Sequence, residues 1–196
     1  SETMNVHTLT KISRAMNHVS YTFAKKLSHT ADSQDQRHRM VPASRPVLSA
    51  VYSGEPDTVT PKLIALNDAA REAYDEANAR AFENINRLLD AGVPDEYAFY
   101  LLPNAYSIRM IESGRLTDLH HKWRTRLCYT AQEEIFHASV DEVNQVRAVH
   151  PTIGKYLHAP CWFRLETPQT PYCPEGDRFC GVAVWKLEPD AFSRVL

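Results

Sequence analysis

The sequence predicts a mixed α+β domain built from two long helices and a few strands. Two stretches of roughly 30 residues keep apolar side chains at helical spacing, and two shorter stretches are rich in β-branched and aromatic residues. The 196 residues are 43% hydrophobic and 23% charged, values typical of a globular chain that can bury a core. No internal repeat suggests a solenoid.

The first half of the chain is expected to hold a strand, a loop and a long helix. HVSYTFAKKL, which begins at His18, has strand composition. Prolines predict a loop over 40–61, and Thr60-Pro61 then starts a helix, since threonine caps helices and proline favours their first position. Apolar spacing continues this helix for roughly 30 residues, until Gly92 ends it.

The second half is expected to repeat a strand and a long helix. A short helix, DEYAFYLL, follows Pro94, and a strand is expected over 105–113. Apolar spacing predicts the second long helix over 116–148. Residues 1–150 are therefore expected to form the main domain, and the Cys- and Pro-rich stretch 151–196 an extension packed on it.

Charge and hydropathy exclude some classes of function. The net charge of -2 and the pI near 6.5 argue against a nucleic acid polymer or a membrane surface as partner. A small RNA-binding domain is also disfavoured, because no basic patch interleaved with aromatic residues is present. Without a long apolar run or a leader-like start, the expected location is cytoplasmic.

The run Arg37–Arg39, with sequence Arg-His-Arg, is the strongest local signal. Two guanidinium groups beside an imidazole suit a phosphate or pyrophosphate, although such a run can also be a solvated charged surface. Gln34 lies nearby in sequence, and Arg126 interrupts an apolar helical stretch. Because arginines at core positions usually have an anionic partner, these residues favour an anionic ligand.

The order and spacing of several short motifs carry a family resemblance. HVSYTF precedes RHR, and a long helix, GVP at 92–94, LLPN at 101–104, Arg109 and WRTRLCYTAQEEI at 123–135 follow. This arrangement resembles the flavin-dependent thymidylate synthase family over the stretch from about His18 to Ile135, roughly 60% of the chain. It implies that family's sheet with long helices, with the N-terminal end shortened.

The resemblance implies an enzyme that methylates C5 of a uracil nucleotide. Such enzymes use FAD, methylenetetrahydrofolate and NADPH, and they are homotetramers whose sites lie between subunits. By position, Arg37, His38 and Arg39 match the residues that contact the flavin. Gln34 and Arg126 match residues that contact the nucleotide. No protein nucleophile is needed, so Cys128 is more simply a small buried hydrophobe.

The chain departs from the family pattern where the nucleotide should bind. Without gaps, the family's nucleotide-binding Ser and Arg fall at Val47 and Ser49, and only a local deletion lets Ser44 and Arg45 replace them. An arginine before the LP turn is Phe99 here. A changed sugar site favours UMP over dUMP, as in family offshoots that serve nucleoside-antibiotic biosynthesis. The alternative is a non-catalytic or partner-dependent nucleotide-binding module.

Other polar residues are weaker candidates for the same pocket. They are His18, His29, Arg109 and Arg124, and the carboxylates Asp32 and Asp35 beside Gln34 could restrain the arginines. The adjacent His120 and His121 point apart on a helix and cannot chelate a metal together.

The C-terminal stretch contains a candidate structural zinc site. His158, Cys161, Cys173 and Cys180 form the pattern H-x2-C-x11-C-x6-C, and three cysteines with a histidine can close a tetrahedral zinc site. Buried reduced cysteines are the alternative, since no CxxC pair is present. Four protein ligands would leave no open position, which disfavours catalytic zinc.

Overall fold

Helices dominate the computed structural model, which describes residues 13–188 and residue 191. In that part of the chain, the helices and strands are β1 (Ser20–Ser28), α1 (His29–Asp35), β2 (Ala43–Ser44), α2 (Leu48–Val51), α3 (Lys62–Ala65), α4 (Asp68–Asp90), α5 (Asp95–Ala98), β3 (Ser107–Arg115), α6 (Leu116–Arg126), α7 (Glu133–Val149), α8 (Pro151–Gly154) and α9 (Pro160–Glu166). Short 3-10 helices lie at Ser13–His18, Phe99–Leu101, Gly176–Arg178 and Val184–Lys186. Each of these helices is too short or too polar to cross a membrane.

The three strands form one small antiparallel sheet in the order β1-β3-β2. The Leu116 amide donates to the Val19 carbonyl at 2.7 Å at one end of the β1-β3 pair. At the other end, the His29 amide donates to the Tyr106 carbonyl at 2.9 Å. The expected α+β class is therefore confirmed.

The chain divides into two compact units, which we call the first and the second unit. Among the described residues, the first unit contains 13–23, 38–43, 112–188 and 191, and the second contains 24–37 and 44–111. Strands β1 and β3 contribute residues to both units. The described part of the C-terminal stretch belongs to the first unit, while a domain boundary at residue 150 stays a prediction.

The core of the first unit is built around Trp123 on α6. Its indole is fully buried, and the ring of Phe23 meets it edge-on with 6.1 Å between the ring centroids. Further buried side chains on α6 and α7 complete this cluster, among them Leu119, Phe136, Val143 and Val146. Both helices keep one apolar face, so burial of that face explains why they form and pack.

A buried ion network lies inside the first unit. Lys122 is 0% exposed, and its ammonium group donates to Glu112 on β3 and to Glu142 on α7, the latter at 3.3 Å. The indole Nε1 of Trp123 donates to the second carboxylate oxygen of Glu142 at 2.6 Å. Because charges cost several kcal/mol to bury unless they are paired, this network is what makes the buried carboxylates tolerable.

The core of the second unit is aromatic. Tyr52 stacks on Phe82 of α4 with 5.8 Å between centroids, and Phe82 packs against Tyr106 at 6.0 Å. A second buried ion pair joins Lys25 of β1 to Asp35 of α1 at 2.8 Å. This pair ties the end of α1 to the strand that precedes it.

Both predicted long helices are shorter than expected. The first is interrupted at Leu66–Asn67, and the Asn67 side chain then caps α4 by accepting from the Ala70 amide at 2.9 Å. The second is broken over 127–132, where the Gln132 side chain caps α7 by accepting from the Ile135 amide. Apolar residues keep helical spacing across both breaks, so periodicity predicted two uninterrupted helices. It gave no sign of the polar side chains that cap the new helices after each break.

Replacing the buried lysine should destabilise the protein strongly. In a Lys122→Met variant, Glu112 and Glu142 would stay buried without a cation, which we expect to cost about 3–5 kcal/mol of unfolding free energy. Urea denaturation of the variant and the wild type measures the difference. The matched control is Arg71→Met, which removes an exposed ion pair with Asp75 and should cost less than about 1 kcal/mol. Equal losses of unfolding free energy in both variants would show that the buried ion network stabilises the protein no more than an exposed ion pair does.

Candidate functional site

The Arg37–Arg39 run lies in a turn after a short helix rather than at the end of a strand. Strand β1 ends at Ser28, whose hydroxyl accepts from the Ala31 amide at 3.1 Å and caps α1. After α1 the backbone turns, and the His38 carbonyl accepts from the Val41 amide at 2.9 Å. A short helix therefore separates the strand from the run, because the Ser28 side chain caps a helix start between them.

Arg126 and His38 form a direct hydrogen bond in the first unit. Arg126 is the last residue of α6, and its Nε donates to Nε2 of His38 at 2.9 Å. His38 must therefore carry no proton on Nε2, since that atom accepts. The ring of His121 approaches the ring of His38 edge-on, with 6.0 Å between centroids. Two motifs that the sequence placed far apart thus meet in one cluster.

A cavity of about 340 Å³ adjoins this cluster, and we call it the arginine cavity. Most of its polar lining comes from the end of α6 and the following loop, namely His121, Arg124, Thr125, Arg126, Cys128 and Thr130, and the C-terminal stretch adds the carboxylate of Glu175. Arg124 is half-buried, and its guanidinium carbon lies 5.4 Å from the centroid of the Phe163 ring. Burial lowers the pKa of Arg124 from its ordinary value. The cavity therefore presents cationic donors, which suit a phosphate or an electron-rich heterocycle.

A second cavity, of about 540 Å³, lies in the second unit, and we call it the sheet cavity. Ser44, Arg45 and Arg109 line it together with Lys25 and Lys26. These residues bring three predicted ligand-binding side chains together. The predicted site residues that line one of these cavities thus form two groups, one in each unit.

Carboxylates hold the cations of the sheet cavity in place. Arg45 Nε donates to both oxygens of Asp32, at 2.8 and 2.9 Å, and Asp32 is only 1% exposed. Asp57 pairs with Arg109 and with Lys26. Burial would raise the pKa of Asp57, but hydrogen bonds from Arg109 and Lys26 outweigh that effect and lower the pKa to about 2. Asp57 therefore stays ionised at neutral pH.

The remaining candidates line neither of these two cavities. Gln34 lies half-buried on α1, while the side chains of Arg37 and Arg39 are exposed. His18 ends an exposed 3-10 turn, and His29 is the exposed first residue of α1. These five assignments stay predictions.

Sequence reasoning missed His121. It shares one face of α6 with Arg124 and Thr125, at spacings of three and four residues, and all three line the arginine cavity. Its neighbour His120 is buried and packs edge-on against Phe163 at 5.2 Å between centroids. The side chains of His120 and His121 therefore point apart, as expected. The helical spacing of His121 from the cavity-lining Arg124 was the sequence signal that could have identified His121 as a site residue.

The four residues predicted to bind zinc do not all line the same cavity. His158 is buried and stacks on Trp162 with 4.1 Å between ring centroids, and burial lowers its pKa to about 4. Cys161, Cys173 and Cys180 instead line a separate small cavity. In residues 13–188 and 191, no group of three or more His, Cys, Asp or Glu side chains is arranged to hold a metal ion. The structure thus offers the predicted zinc no preformed site.

Comparison with known proteins identifies relatives over most of the chain. The model of the family described as thymidylate synthase complementing protein matches residues 4–152. A flavin-dependent thymidylate synthase of Geobacter sulfurreducens is 31% identical over 171 residues, which cover 86% of this chain and 71% of the relative.

Two further relatives with the same name are matched over a smaller part of their length. The protein of Sulfurisphaera tokodaii is 31% identical over 151 residues, and that of Saccharolobus solfataricus is 30% identical over 149. These matches cover 74% of this chain but only 57% and 56% of the two relatives. The chain therefore spans little more than half the length of these relatives. The family match and the shared identity show that the chain belongs to the flavin-dependent thymidylate synthase family.

Proposed function

We propose that the chain is a flavin-dependent methyltransferase that reductively methylates C5 of a uracil nucleotide monophosphate. The carbon donor is methylenetetrahydrofolate and the reductant is NADPH. One observation carries this proposal: the Arg126–His38 hydrogen bond joins residues 88 positions apart, and each belongs to a separate family motif. A packing role alone would not require a guanidinium and an imidazole to meet beside a cavity lined by further cations.

The residues of the arginine cavity fit a flavin and a nucleotide. The guanidinium groups of Arg124 and Arg126 there can donate hydrogen bonds and carry positive charge, and both ligands bring phosphates and electron-rich rings. His38 would contact FAD, and Arg126 would contact the nucleotide base. When bound, FAD would supply the hydride and carry the one-carbon unit.

The protein side chains themselves bind, orient and stabilise charge. Arg126 fixes the orientation of the His38 ring, because its Nε donates to His38 Nε2. Arg124 and Arg126 would stabilise negative charge that develops on the uracil ring, since a half-buried guanidinium acts in a medium less polar than water. No side chain here has to act as a nucleophile.

The sheet cavity supports the assignment of Ser44 and Arg45 to the substrate. Both residues line it together with Arg109, and Asp32 holds the Arg45 guanidinium in position. We assign Ser44 and Arg45 to the nucleotide through a local deletion, in place of Val47 and Ser49, the positions that a gapless comparison gives. We favour UMP over dUMP as substrate, since the departures from the family pattern fall on positions that hold the nucleotide in the family, and a ribose 2′-hydroxyl needs room and a hydrogen-bond partner.

We further propose a homotetramer with sites shared between copies, as in the family. The two residue groups lie in different units of the chain, and intersubunit sites would allow groups from different copies to serve one ligand. A role in nucleoside-antibiotic biosynthesis and a cytoplasmic location stay predictions. Structural zinc also stays a prediction, without a preformed site to support it.

A non-catalytic or partner-dependent binding module is the second candidate. The family's nucleotide-binding serine and arginine fall at Val47 and Ser49 without gaps, and this departure from the family pattern favours a changed role. The two candidates differ in one measurable property, because only the enzyme consumes NADPH by itself.

The purified protein should bind FAD and oxidise NADPH. We expect a yellow protein, or one that becomes yellow with added FAD, and NADPH consumption that requires both a uracil nucleotide and methylenetetrahydrofolate. Absorbance at the flavin and NADPH wavelengths measures both. A protein that neither binds FAD nor consumes NADPH would contradict the enzyme and favour the binding module.

Arg126 should control nucleotide affinity. An Arg126→Gln variant loses a charged hydrogen bond, so we expect the Kd of the uracil nucleotide to rise roughly 10- to 150-fold. Isothermal titration with FAD present measures it. The control is Arg80→Gln, which removes an exposed cation on α4 that pairs with Glu76 at 3.4 Å and should leave the Kd unchanged. Wild-type affinity in Arg126→Gln would remove this residue from the site.

The substrate can be identified by competition between the two nucleotides. We expect tritium release from C5-labelled UMP to exceed that from labelled dUMP when both are offered at equal concentration. The expected preference is roughly 5- to 30-fold, because a sugar hydroxyl with a dedicated partner is worth about 1–2 kcal/mol. A preference for dUMP would show that the altered residues leave the family's substrate unchanged.

A further inference from the structure

One cation of the family pattern is absent from its expected position in the second unit. The family's arginine before the LP turn is replaced by Phe99, which is half-buried and packs against Tyr52 with 5.0 Å between ring centroids. Phe99 thus belongs to the aromatic core of this unit and does not line the sheet cavity. A nucleotide that binds here has to obtain this positive charge from another side chain.

Arg109 on β3 lines the sheet cavity and is held in a fixed position. Its guanidinium donates to one oxygen of the Asp57 carboxylate, and Lys26 on the neighbouring strand β1 pairs with the other oxygen at 2.9 Å. The main chain of Asp57 is itself anchored, because its carbonyl accepts from the Ser107 amide at 2.8 Å. Asp57 therefore holds cations from two adjacent strands beside each other in the cavity lining.

The charges at the sheet cavity are not evenly matched. Two cations of the lining each have a buried carboxylate of their own, in the pairs Arg45–Asp32 and Lys25–Asp35. Lys26 and Arg109 instead share Asp57, and their side chains are 45% and 62% exposed. Among the described residues, one positive charge in excess therefore lies on this accessible pair, where it would attract an anion.

Two arginines of this cavity keep donor groups that could bind the anion. Asp32 accepts only from Nε of Arg45, and Asp57 accepts from one terminal amino group of Arg109. The other guanidinium N–H groups, together with the Ser44 hydroxyl, can donate to ligand oxygens. A phosphate group suits such donors, because it presents several oxygens to two planar forks.

We propose that Arg109 binds the 5′-phosphate of the uracil nucleotide and supplies the cation that Phe99 cannot. Lys26 adds positive charge beside it, and Arg45 contacts the same phosphate through its terminal amino groups. The positive charge for the phosphate has thus moved from the turn before β3 to β3 itself. This inference rests on the proposed function for the identity of the nucleotide, but the phosphate site can be tested without turnover.

Ribose 5-phosphate tests the phosphate contact without a base. The full chain is titrated in the absence of FAD, and phosphorus NMR of the ligand gives its Kd. We expect saturable binding by the wild type and a Kd roughly tenfold higher in Arg109→Gln. This factor is at the low end of the range for charged hydrogen bonds, because water and salt screen an exposed guanidinium. Isothermal titration with UMP should show a loss of the same size.

Two further variants separate a phosphate contact from a general loss of charge. Arg80→Gln is the matched control, because the Arg80 side chain is 66% exposed and also pairs with a carboxylate, and it should leave both Kd values unchanged. Arg109→Lys keeps the charge without the planar fork, so its Kd should lie between those of the wild type and Arg109→Gln. Asp57 keeps its pair with Lys26 in each Arg109 variant, so we expect both to fold.

The outcomes for the phosphate site and for the enzyme can be told apart. Unchanged affinity for ribose 5-phosphate in Arg109→Gln, an equal loss in Arg80→Gln, or no binding of ribose 5-phosphate by the wild type would each overturn the phosphate site. A wild type that binds ribose 5-phosphate through Arg109 but consumes no NADPH would support the phosphate site and contradict the enzyme.

Discussion

The buried ammonium group of Lys122 is the constraint on which the first unit depends. It binds carboxylates from β3 and α7, so three elements distant in sequence must keep one mutual arrangement. An apolar core tolerates small shifts of packing, but a buried charge tolerates little change in its partners. Because the face of α6 that carries Lys122 is turned inward, the face that carries His121, Arg124 and Thr125 lies toward the arginine cavity. Stability and site geometry therefore depend on the same helix rotation.

Ion pairs organise the second unit in a similar way, but nearer to its surface. Asp32 and Asp35 are buried on α1 and hold Arg45 and Lys25, while the more exposed Asp57 holds Arg109. Every cation named here that lines the sheet cavity thus has a carboxylate behind it. The paired carboxylates allow several cations to lie at one ligand site, because their negative charge offsets the repulsion between the cations.

The sequence predicted the fold class and the family, while the helix breaks and the buried contacts needed the structure. His38 and Arg126 could be recognised because motif order carries information over long separations, and the structure joins them. The helix breaks at Asn67 and Gln132 were missed, because a polar side chain that caps a helix looks the same in sequence as one on its solvent face. Lys122 was unpredictable for a related reason: its burial depends on partners 10 and 20 residues away.

The clamp between Asp32 and Arg45 has a consequence for how a ligand would be selected. Arginine side chains carry about 2 kcal/mol of rotamer entropy, which a mobile side chain loses when it captures a ligand. Asp32 fixes the Nε side of the Arg45 guanidinium, so folding has already removed much of that freedom. The guanidinium plane then has one orientation before any ligand arrives, and a phosphate approaching along another direction gains little. Rigidity at this position would therefore favour discrimination by shape over affinity for negative charge in general.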